Sequence, residues 1–315
     1  MNISNNMNKR ILITGGLGFI GSHLVRKNIQ DGNQVAVLSR SVKKKHNIKD
    51  IADKVELFIG DVRDISEKEV KNIDTIFHLA GTVDNYSIND NPYIDIDINC
   101  NGTIALLEAI RKYNPKTRLI FGSTFFVNGN VDKLPVNTSS PCNPLGLYGA
   151  TRLAAEHFCH VYNNVFDLDA VIARFTNVFG PYEQGDNKKK AGFNFMINCA
   201  VNGEELKVYN NGEFIRDYIY VDDVVDACQV LMERGERDKV YYVGRGERIP
   251  FRDLIDIIHR ELPSVKISSI NPPQFHERVG IKDFVSDITD LVALGWKPRV
   301  SLEEGIKRTI SYYQK

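Results

Sequence analysis

The stretch "RILITGGLGFIGSHL", Arg10 to Leu24, sets a short and almost wholly apolar run directly before three glycines, Gly15, Gly18 and Gly21. Glycine at these places permits a tight turn, close approach of a pyrophosphate to backbone N–H groups, and close packing of the next helix on the strand. The apolar run reads as a strand buried on both faces, and the residues from Phe19 to Gln30 carry helical spacing. A glycine pattern alone is a weak signal. Between a strand and a helix it points to dinucleotide binding.

The same alternation continues outward. "QVAVLS", "VELFIG", "TIFHLA" and "RLIFGS" are further short apolar runs, and amphipathic stretches such as Ile94 to Lys112 lie between them. Repeated βα units predict an α/β fold built on a doubly wound parallel sheet. "AVIAR" and "VYYVG" read as later strands of that sheet. Residues 8–180 therefore read as the dinucleotide-binding domain, with a strand near 239–244 returning to it. Residues 181–315 read mainly as a smaller mixed lobe closing over the sheet's end, entered through the loop-rich "GPYEQGDNKKKAG", Gly180 to Gly192.

At 315 residues, 43% hydrophobic and 25% charged, the chain can bury a substantial core. Lysine plus arginine equal aspartate plus glutamate, 40 against 40, so no whole-protein field favours nucleic acid or an anionic membrane. The five cysteines are scattered and lack metal spacing, which suits free thiols in a reducing compartment. The polar start has no apolar signal region and no run of about 18 apolar residues follows, so the expectation is a cytoplasmic protein. "HFCH", His157 to His160, lacks a convergent third ligand and reads as helix surface; no metal is expected.

The second apolar run ends in Ser39 and Arg40, about 20 residues past the glycine loop, where a carboxylate would serve a ribose 2′-hydroxyl. A hydroxyl and a guanidinium suit a 2′-phosphate instead, which favours NADP over NAD. Asp61 in "GDV" either accepts a hydrogen bond from the adenine amine or caps a turn.

"PLGLYGATRLAAE", Pro144 to Glu156, opens an amphipathic helix with Tyr148 and, one turn on, Arg152. Together with "TGGLGFIGSHL", "GDV", "FHLAG", "NCNGTIALLEA", "FGSTFFVNG", "RFTNVFGP", "RDYIYVDDV" and "LGWKP" it forms an ordered series running from about Lys9 to Tyr313. In that order and spacing the chain resembles the extended short-chain dehydrogenase/reductase family, among its nucleotide-sugar epimerases, dehydratases and 4-keto reductases. The resemblance implies a Rossmann-type sheet, a nucleotide-diphosphate sugar as substrate, and a homodimer packed through the helices after "NCNGT" and after Tyr148. It also implies that Phe19, Ile20, Val62, Leu79, Ala80, Gly81 and Asn99 join the glycine loop around the cofactor.

Hydride transfer at a sugar carbon needs a group that moves the hydroxyl proton in step with it. The resemblance makes Tyr148 that group. A phenol ordinarily titrates near 10, and a cation about 5 Å away supplies about 3 kcal/mol toward its anion at an effective dielectric near 20. Arg152 can provide that field, although its fork is larger than a lysine and never deprotonates. By register Thr124 would hydrogen-bond the reacting oxygen with Ser123 supporting it, and a one-residue slip would exchange them, so both are candidates. Family dehydratases follow this position with Asp and Glu, whereas this chain has Phe125 and Phe126, neither of which can move a proton. A 4,6-dehydration is therefore not expected, and C4 epimerisation and reduction of a 4-keto sugar both stay open.

For the substrate, the resemblance assigns Asn177 to the sugar or its phosphates, and Arg216 and Arg278 to the diphosphate, where arginine's bidentate geometry fits. The lesser alternative is that Arg216 only pairs with Asp217 or Asp223. Phe214 and Ile281 depart from the family's glutamine and aspartate, so the nucleoside is not fixed. Phe193 and Tyr209 are candidates for the base pocket. A sensor or scaffold that has lost catalysis is the alternative reading, but it has no need of Thr124, Tyr148 and two diphosphate arginines.

Overall fold

A computed structural model of the chain describes residues 8–82, 91–185 and 192–315, so residues 186–191 of the loop after Gly180 lie outside it. Along the chain run β1 (Arg10–Thr14), α1 (Phe19–Gln30), β2 (Gln34–Ser39), β3 (Val55–Ile59), α2 (Glu67–Val70), β4 (Thr75–His78), α3 (Tyr93–Asp95), α4 (Gly102–Tyr113), β5 (Arg118–Thr124), α5 (Leu147–Phe166) and β6 (Asp169–Phe175). Then come β7 (Asn177–Phe179), α6 (Gly192–Val201), β8 (Leu206–Tyr209), β9 (Ile215–Arg216), β10 (Tyr218–Tyr220), α7 (Val221–Arg234), β11 (Val240–Val243), β12 (Ile249–Pro250), α8 (Phe251–Glu261), β13 (Ile267–Ile270), α9 (Gln274–Val279), α10 (Thr289–Ala293) and α11 (Leu302–Tyr313).

Seven strands form one parallel sheet in the order β11-β6-β5-β4-β1-β2-β3. Alternation along each strand explains the unbroken apolar runs, because both faces are covered. Ile11 and Ile13 of β1 enter a core with Leu24 and Val25 of α1 and Val224 and Leu231 of α7. Leu12 between them enters the opposite core, with Leu106 and Leu107 of α4 and Ala155 and Cys159 of α5. Strand order reverses between β1 and β4, which opens a crevice at their carboxyl ends.

A third core gathers α6, α8 and α11 around Phe179, Leu254 and Ile306. Phe193, expected in the base pocket, belongs to this core instead: its ring lies 5.2 Å from Phe179 and 4.9 Å from Tyr218. An apolar helix with little polar surface gave no face to tell core from pocket. Val62 is likewise core, and a Cβ on Gly102 would lie 2.6 Å from its Cγ1. The stretch from Ile94 to Lys112 is not one regular helix, because Ile96–Asn101 winds as a π-turn before α4. Such turns recur at functional sites, and this one carries Asn99.

The glycine loop is fixed by contacts of backbone with backbone. A Cβ on Gly21 would overlap the Gly15 carbonyl oxygen and lie 2.8 Å from Gly16 Cα, so main chain would have to move. Gly21→Ala should destabilise the protein by about 1–3 kcal/mol in urea unfolding, and an unchanged midpoint would refute this account of the loop.

Candidate active site

The site begins where β1 and β4 end. Gly15 has φ 73°, donates its N–H to the Leu38 carbonyl at 2.9 Å, and would press a side chain to 3.0 Å from the Ala80 nitrogen. Only glycine fits a left-handed turn this close to a neighbouring strand. Beneath the loop, the Ala80 N–H donates to Thr14 Oγ1 at 3.2 Å, which leaves the Thr14 proton for His78 Nδ1 at 2.7 Å. His78 Nε2 then donates to Thr103 Oγ1 at 3.3 Å, and Thr103 donates to the Asn99 carbonyl at 2.6 Å. His78 is fully buried. Burial first, then the nearby Arg152 charge, bring it down to about 3, so it stays neutral and its chain of hydrogen bonds keeps one direction.

Tyr148 and Arg152 occupy the first two turns of α5 and are both buried. The Arg152 guanidinium lies 5.9 Å from the Tyr148 ring and 5.6 Å from the Phe121 ring. Its Nε and Nη1 have no hydrogen-bond partner among the described residues. A Cβ on Gly81 would run into this guanidinium, so the position after β4 is glycine to leave it room. Asn99 donates to Thr82 Oγ1 at 2.8 Å and Thr151 Oγ1 at 3.0 Å and accepts the Thr82 N–H at 3.0 Å, pinning the Gly81 segment to α5. A buried charged donor without an acceptor is costly. Unspent N–H groups beside a glycine, at the carboxyl end of β4, fit the hydroxyls of a nicotinamide ribose.

Ser123 and Thr124 end β5, and the pleat turns them to opposite faces. Thr124 Oγ1 accepts the Phe126 N–H at 3.3 Å, which leaves its own proton to offer. Ser123 is corrected: its hydroxyl donates to Glu156 Oε1 at 2.5 Å, inside the protein and not toward a substrate. Glu156 is held by Arg174 through Nε at 3.0 Å and Nη2 at 2.7 Å. Arg174 Nη1 donates to Tyr242 Oη at 3.0 Å, and Tyr242 donates to Asn128 Oδ1 at 2.7 Å. None of Glu156, Arg174, Tyr242 or His78 was singled out from sequence. The available signal was Glu156 standing eight residues after Tyr148 on the Arg152 face.

At the adenosine end, Ser39 Oγ donates to the Ser41 carbonyl at 3.0 Å, and Arg40 is exposed. Asp61 caps the turn through the Arg63 N–H at 3.0 Å and takes the Arg63 fork at 3.0 Å on each oxygen. Those hydrogen bonds hold its carboxyl below the usual range. Phe19 and Ile20 open α1, and Leu79 and Ala80 follow β4 across the crevice.

At the substrate end, Asn177 donates to the Asp217 carbonyl at 3.2 Å. Arg216 pairs with neither aspartate: its guanidinium donates to the carbonyls of Ile215 at 2.9 Å, Lys282 at 2.5 Å and Ile281, and covers the Phe214 ring at 4.9 Å. Burial draws its basicity down. Asp217 instead accepts N–H groups of Arg245, Gly246 and Ser286, and Asp223 those of Arg299 and Val300. Arg278 is exposed on α9, and Tyr209 packs on His276 at 5.0 Å. His160 pairs with Asp238 at 2.6 Å, and no cluster of three or more metal-ligating groups forms among the described residues. No described helix is long and apolar enough to cross a membrane.

A family model described as the NAD dependent epimerase/dehydratase family matches residues 11–244. The chain belongs to this family. A putative UDP-glucose 4-epimerase of Methanocaldococcus jannaschii is 33% identical over 305 residues, covering 96% of this chain and 97% of the relative. Among solved structures, a UDP-N-acetylglucosamine 4-epimerase from Methanobrevibacter ruminantium superposes with a TM-score of 0.90 at 28% identity, over 97% and 98% of the two chains. A UDP-glucuronic acid 4-epimerase from Bacillus cereus, in complex with UDP-glucuronic acid and NAD, gives 0.87 at 26%, over 96% and 98%. A dTDP-glucose 4,6-dehydratase from Streptomyces venezuelae gives 0.86 at 25%, over 96% of each chain. Within this epimerase/dehydratase frame, the fold alone does not select the reaction.

Neutral burial of His78 predicts a pH effect. Its folded value, about 3, lies below the ordinary 6.5, so the unfolded chain binds a proton that the folded one refuses, and stability is lost as pH falls below 6.5. From pH 7.5 to 5.5 this protein should lose about 1 kcal/mol more than His78→Gln in urea unfolding. Equal losses would show that His78 is not held neutral.

Proposed function

We propose that this chain is an NAD-dependent nucleotide-sugar 4-epimerase acting on a UDP-sugar. The observation that carries the reading is Tyr148 beside a buried Arg152 whose Nε and Nη1 have no partner among the described residues, with Thr124 at the end of β5 keeping a hydroxyl proton to offer. The relative from Methanocaldococcus jannaschii, matched over nearly its whole length, supports the epimerase over the 4-keto reductase. Phe125 and Phe126 argue against dehydration, since no acid or base follows Thr124. A sensor without chemistry would have no use for a buried tyrosine beside a guanidinium with unspent N–H groups.

Bound nicotinamide would supply the hydride sink and source, with Arg152 and the Asn99-pinned Gly81 segment holding its ribose. Thr124 orients the C4 oxygen, and Tyr148 takes the C4 hydroxyl proton. The positive charge 5.9 Å from the Tyr148 ring stabilises the negative charge that develops on the phenol oxygen. The 4-keto sugar must then turn its other face before Tyr148 returns the proton. Retaining the sugar through that turn falls to the diphosphate, for which the exposed Arg278 is the first candidate, with Asn177 for the sugar or its phosphates; Arg216 would have to exchange a backbone carbonyl for a phosphate oxygen to join them.

The leaning to NADP drawn from Ser39 and Arg40 gains no support from the neighbours, several of which hold NAD. Ser39 spends its hydroxyl proton on the Ser41 carbonyl. NAD should bind at least about tenfold tighter than NADP by calorimetry. Tyr148→Phe should lower UDP-glucose to UDP-galactose turnover by about 10² to 10⁴ while NAD affinity stays within a few-fold. Turnover within a few-fold of wild type would remove Tyr148 from its role.

A homodimer fits the same reading. Tyr93, Ile94 and Ile96 before α4, and Val161, Val165 and Phe166 on α5, are exposed apolar groups on the two helical segments the family resemblance implicates. Sedimentation should show a dimer that Val165→Asp converts to monomer; a wild-type monomer at micromolar concentration would end this proposal.

A further inference from the structure

The reaction at C4 leaves open which sugars the cleft accepts, and the neighbours do not decide it, since they include enzymes named for N-acetylglucosamine and for glucuronic acid. The wall next to the reacting groups is informative. Immediately after Thr124 the chain winds one short turn, Phe125–Val127. Phe125 is buried, with its ring 4.7 Å from Phe284 and 4.5 Å from Phe126. Phe126 is only half-buried and meets the Tyr148 ring edge-on at 6.0 Å. Its carbonyl is also packed against Gly149, where a Cβ would lie 2.7 Å away. The phenyl ring is therefore fixed at the side of the acid/base, with one part of its surface uncovered.

A sugar whose C4 oxygen lies between Thr124 and Tyr148 brings its C3 and C5 substituents alongside this wall. Epimerisation makes the contact unavoidable. The cofactor and Tyr148 keep their places, so the 4-keto ring must turn over, and its C3 and C5 sides exchange walls. Whichever pose comes first, the group on C5 lies against Phe126 in one of the two.

A hydroxymethyl or an acetamido group tolerates a phenyl neighbour, but a carboxylate does not. Taking an ion from water to an apolar surface is costly unless a partner is supplied. Of the described guanidiniums named for this end of the sheet, Arg174 is bound by Glu156, Arg245 by Glu247 and the Val300 carbonyl, and Arg216 by backbone carbonyls, while the exposed Arg278 is assigned to the diphosphate. Arg152 is committed to the Tyr148 side, against Gly81.

We propose that Phe126 is a specificity-determining residue that restricts this site to UDP-sugars with uncharged ring substituents, hexoses and 2-acetamidohexoses, and discriminates against hexuronates. This proposal rests on the epimerase reading above. The test is kcat/KM of the NAD-loaded enzyme with UDP-glucose, UDP-N-acetylglucosamine and UDP-glucuronate. The glucuronate value should be at least about 30-fold below that of the better neutral sugar, and Phe126→Thr should shrink the gap about tenfold by raising the glucuronate value. A gap under about 30-fold in the wild type overturns the proposal without touching the epimerase reading. An unchanged gap in Phe126→Thr also overturns it, and Phe126→Gln serves the same comparison should the threonine variant not fold. No turnover of any of the three sugars overturns the epimerase reading, and this proposal with it.

Discussion

The buried ion pair of Glu156 with Arg174, 2.7 Å apart and both almost sealed from solvent, is the contact on which the geometry of the site depends. Burial works against the Arg174 charge, and the hydrogen-bonded Glu156 carboxylate more than offsets it, leaving the guanidinium above its ordinary basicity. Breaking such a pair from one side costs about 3–5 kcal/mol, because the remaining charge is stranded. The pair is also a junction. Ser123 joins it from β5, Tyr242 from β11, and Tyr242 passes the connection to Asn128, whose side chain donates to the Pro141 carbonyl at 3.1 Å. Three sheet strands, β5, β6 and β11, and the loop leading into α5 are thereby tied to one carboxylate. Glu156, Arg152 and Tyr148 share a helix face, so fixing Glu156 fixes the rotation of α5 and the direction from which the phenol meets the cleft.

The two arginines near α5 differ in what they bind, and the difference favours Arg152 for the role proposed above. Arg174 spends its fork on Glu156 and Tyr242, whereas Arg152, as deeply buried, leaves Nε and Nη1 unspent. Proteins rarely bury a cation without an acceptor. The groups around Arg152 are arranged to keep it that way: His78 is neutral, and Asn99 spends its donors on Thr82 and Thr151 while its Oδ1 accepts the Thr82 N–H. Gly81 gives space and supplies no side chain. The surroundings hold the guanidinium ready for oxygen atoms that the described residues do not provide.

Much of the frame was legible in the sequence because it follows from local rules. Gly15, Gly18 and Gly21 mark a turn only glycine can make, and the apolar runs mark strands covered on both faces. Tyr148 and Arg152 share a helix face by their spacing alone. What escaped depended on partners far along the chain. Ser123 seemed to support Thr124, but adjacent residues of a strand point to opposite faces, and which face held Glu156 could not be read locally. Phe193 lies on a helix whose apolar residues nearly encircle it, and Val62 was drawn into the core by the gap over Gly102. Arg216 was expected to meet a carboxylate or a phosphate. Its backbone-carbonyl partners become visible only when the segment holding Ile281 and Lys282 folds beside β9.

Arginine where the resemblance leads one to expect lysine at position 152 is intelligible in this setting. A lysine ammonium is compact and strongly hydrated, and it titrates when buried; a guanidinium is planar, weakly hydrated and permanently charged. Position 152 is buried, flanked by the Phe121 ring at 5.6 Å and the Tyr148 ring at 5.9 Å, and open toward Gly81. A flat, weakly hydrated cation suits a slot between aromatic rings better than an ammonium does. In the proposed reaction the guanidinium supplies charge beside the ring, and the proton is moved by Tyr148.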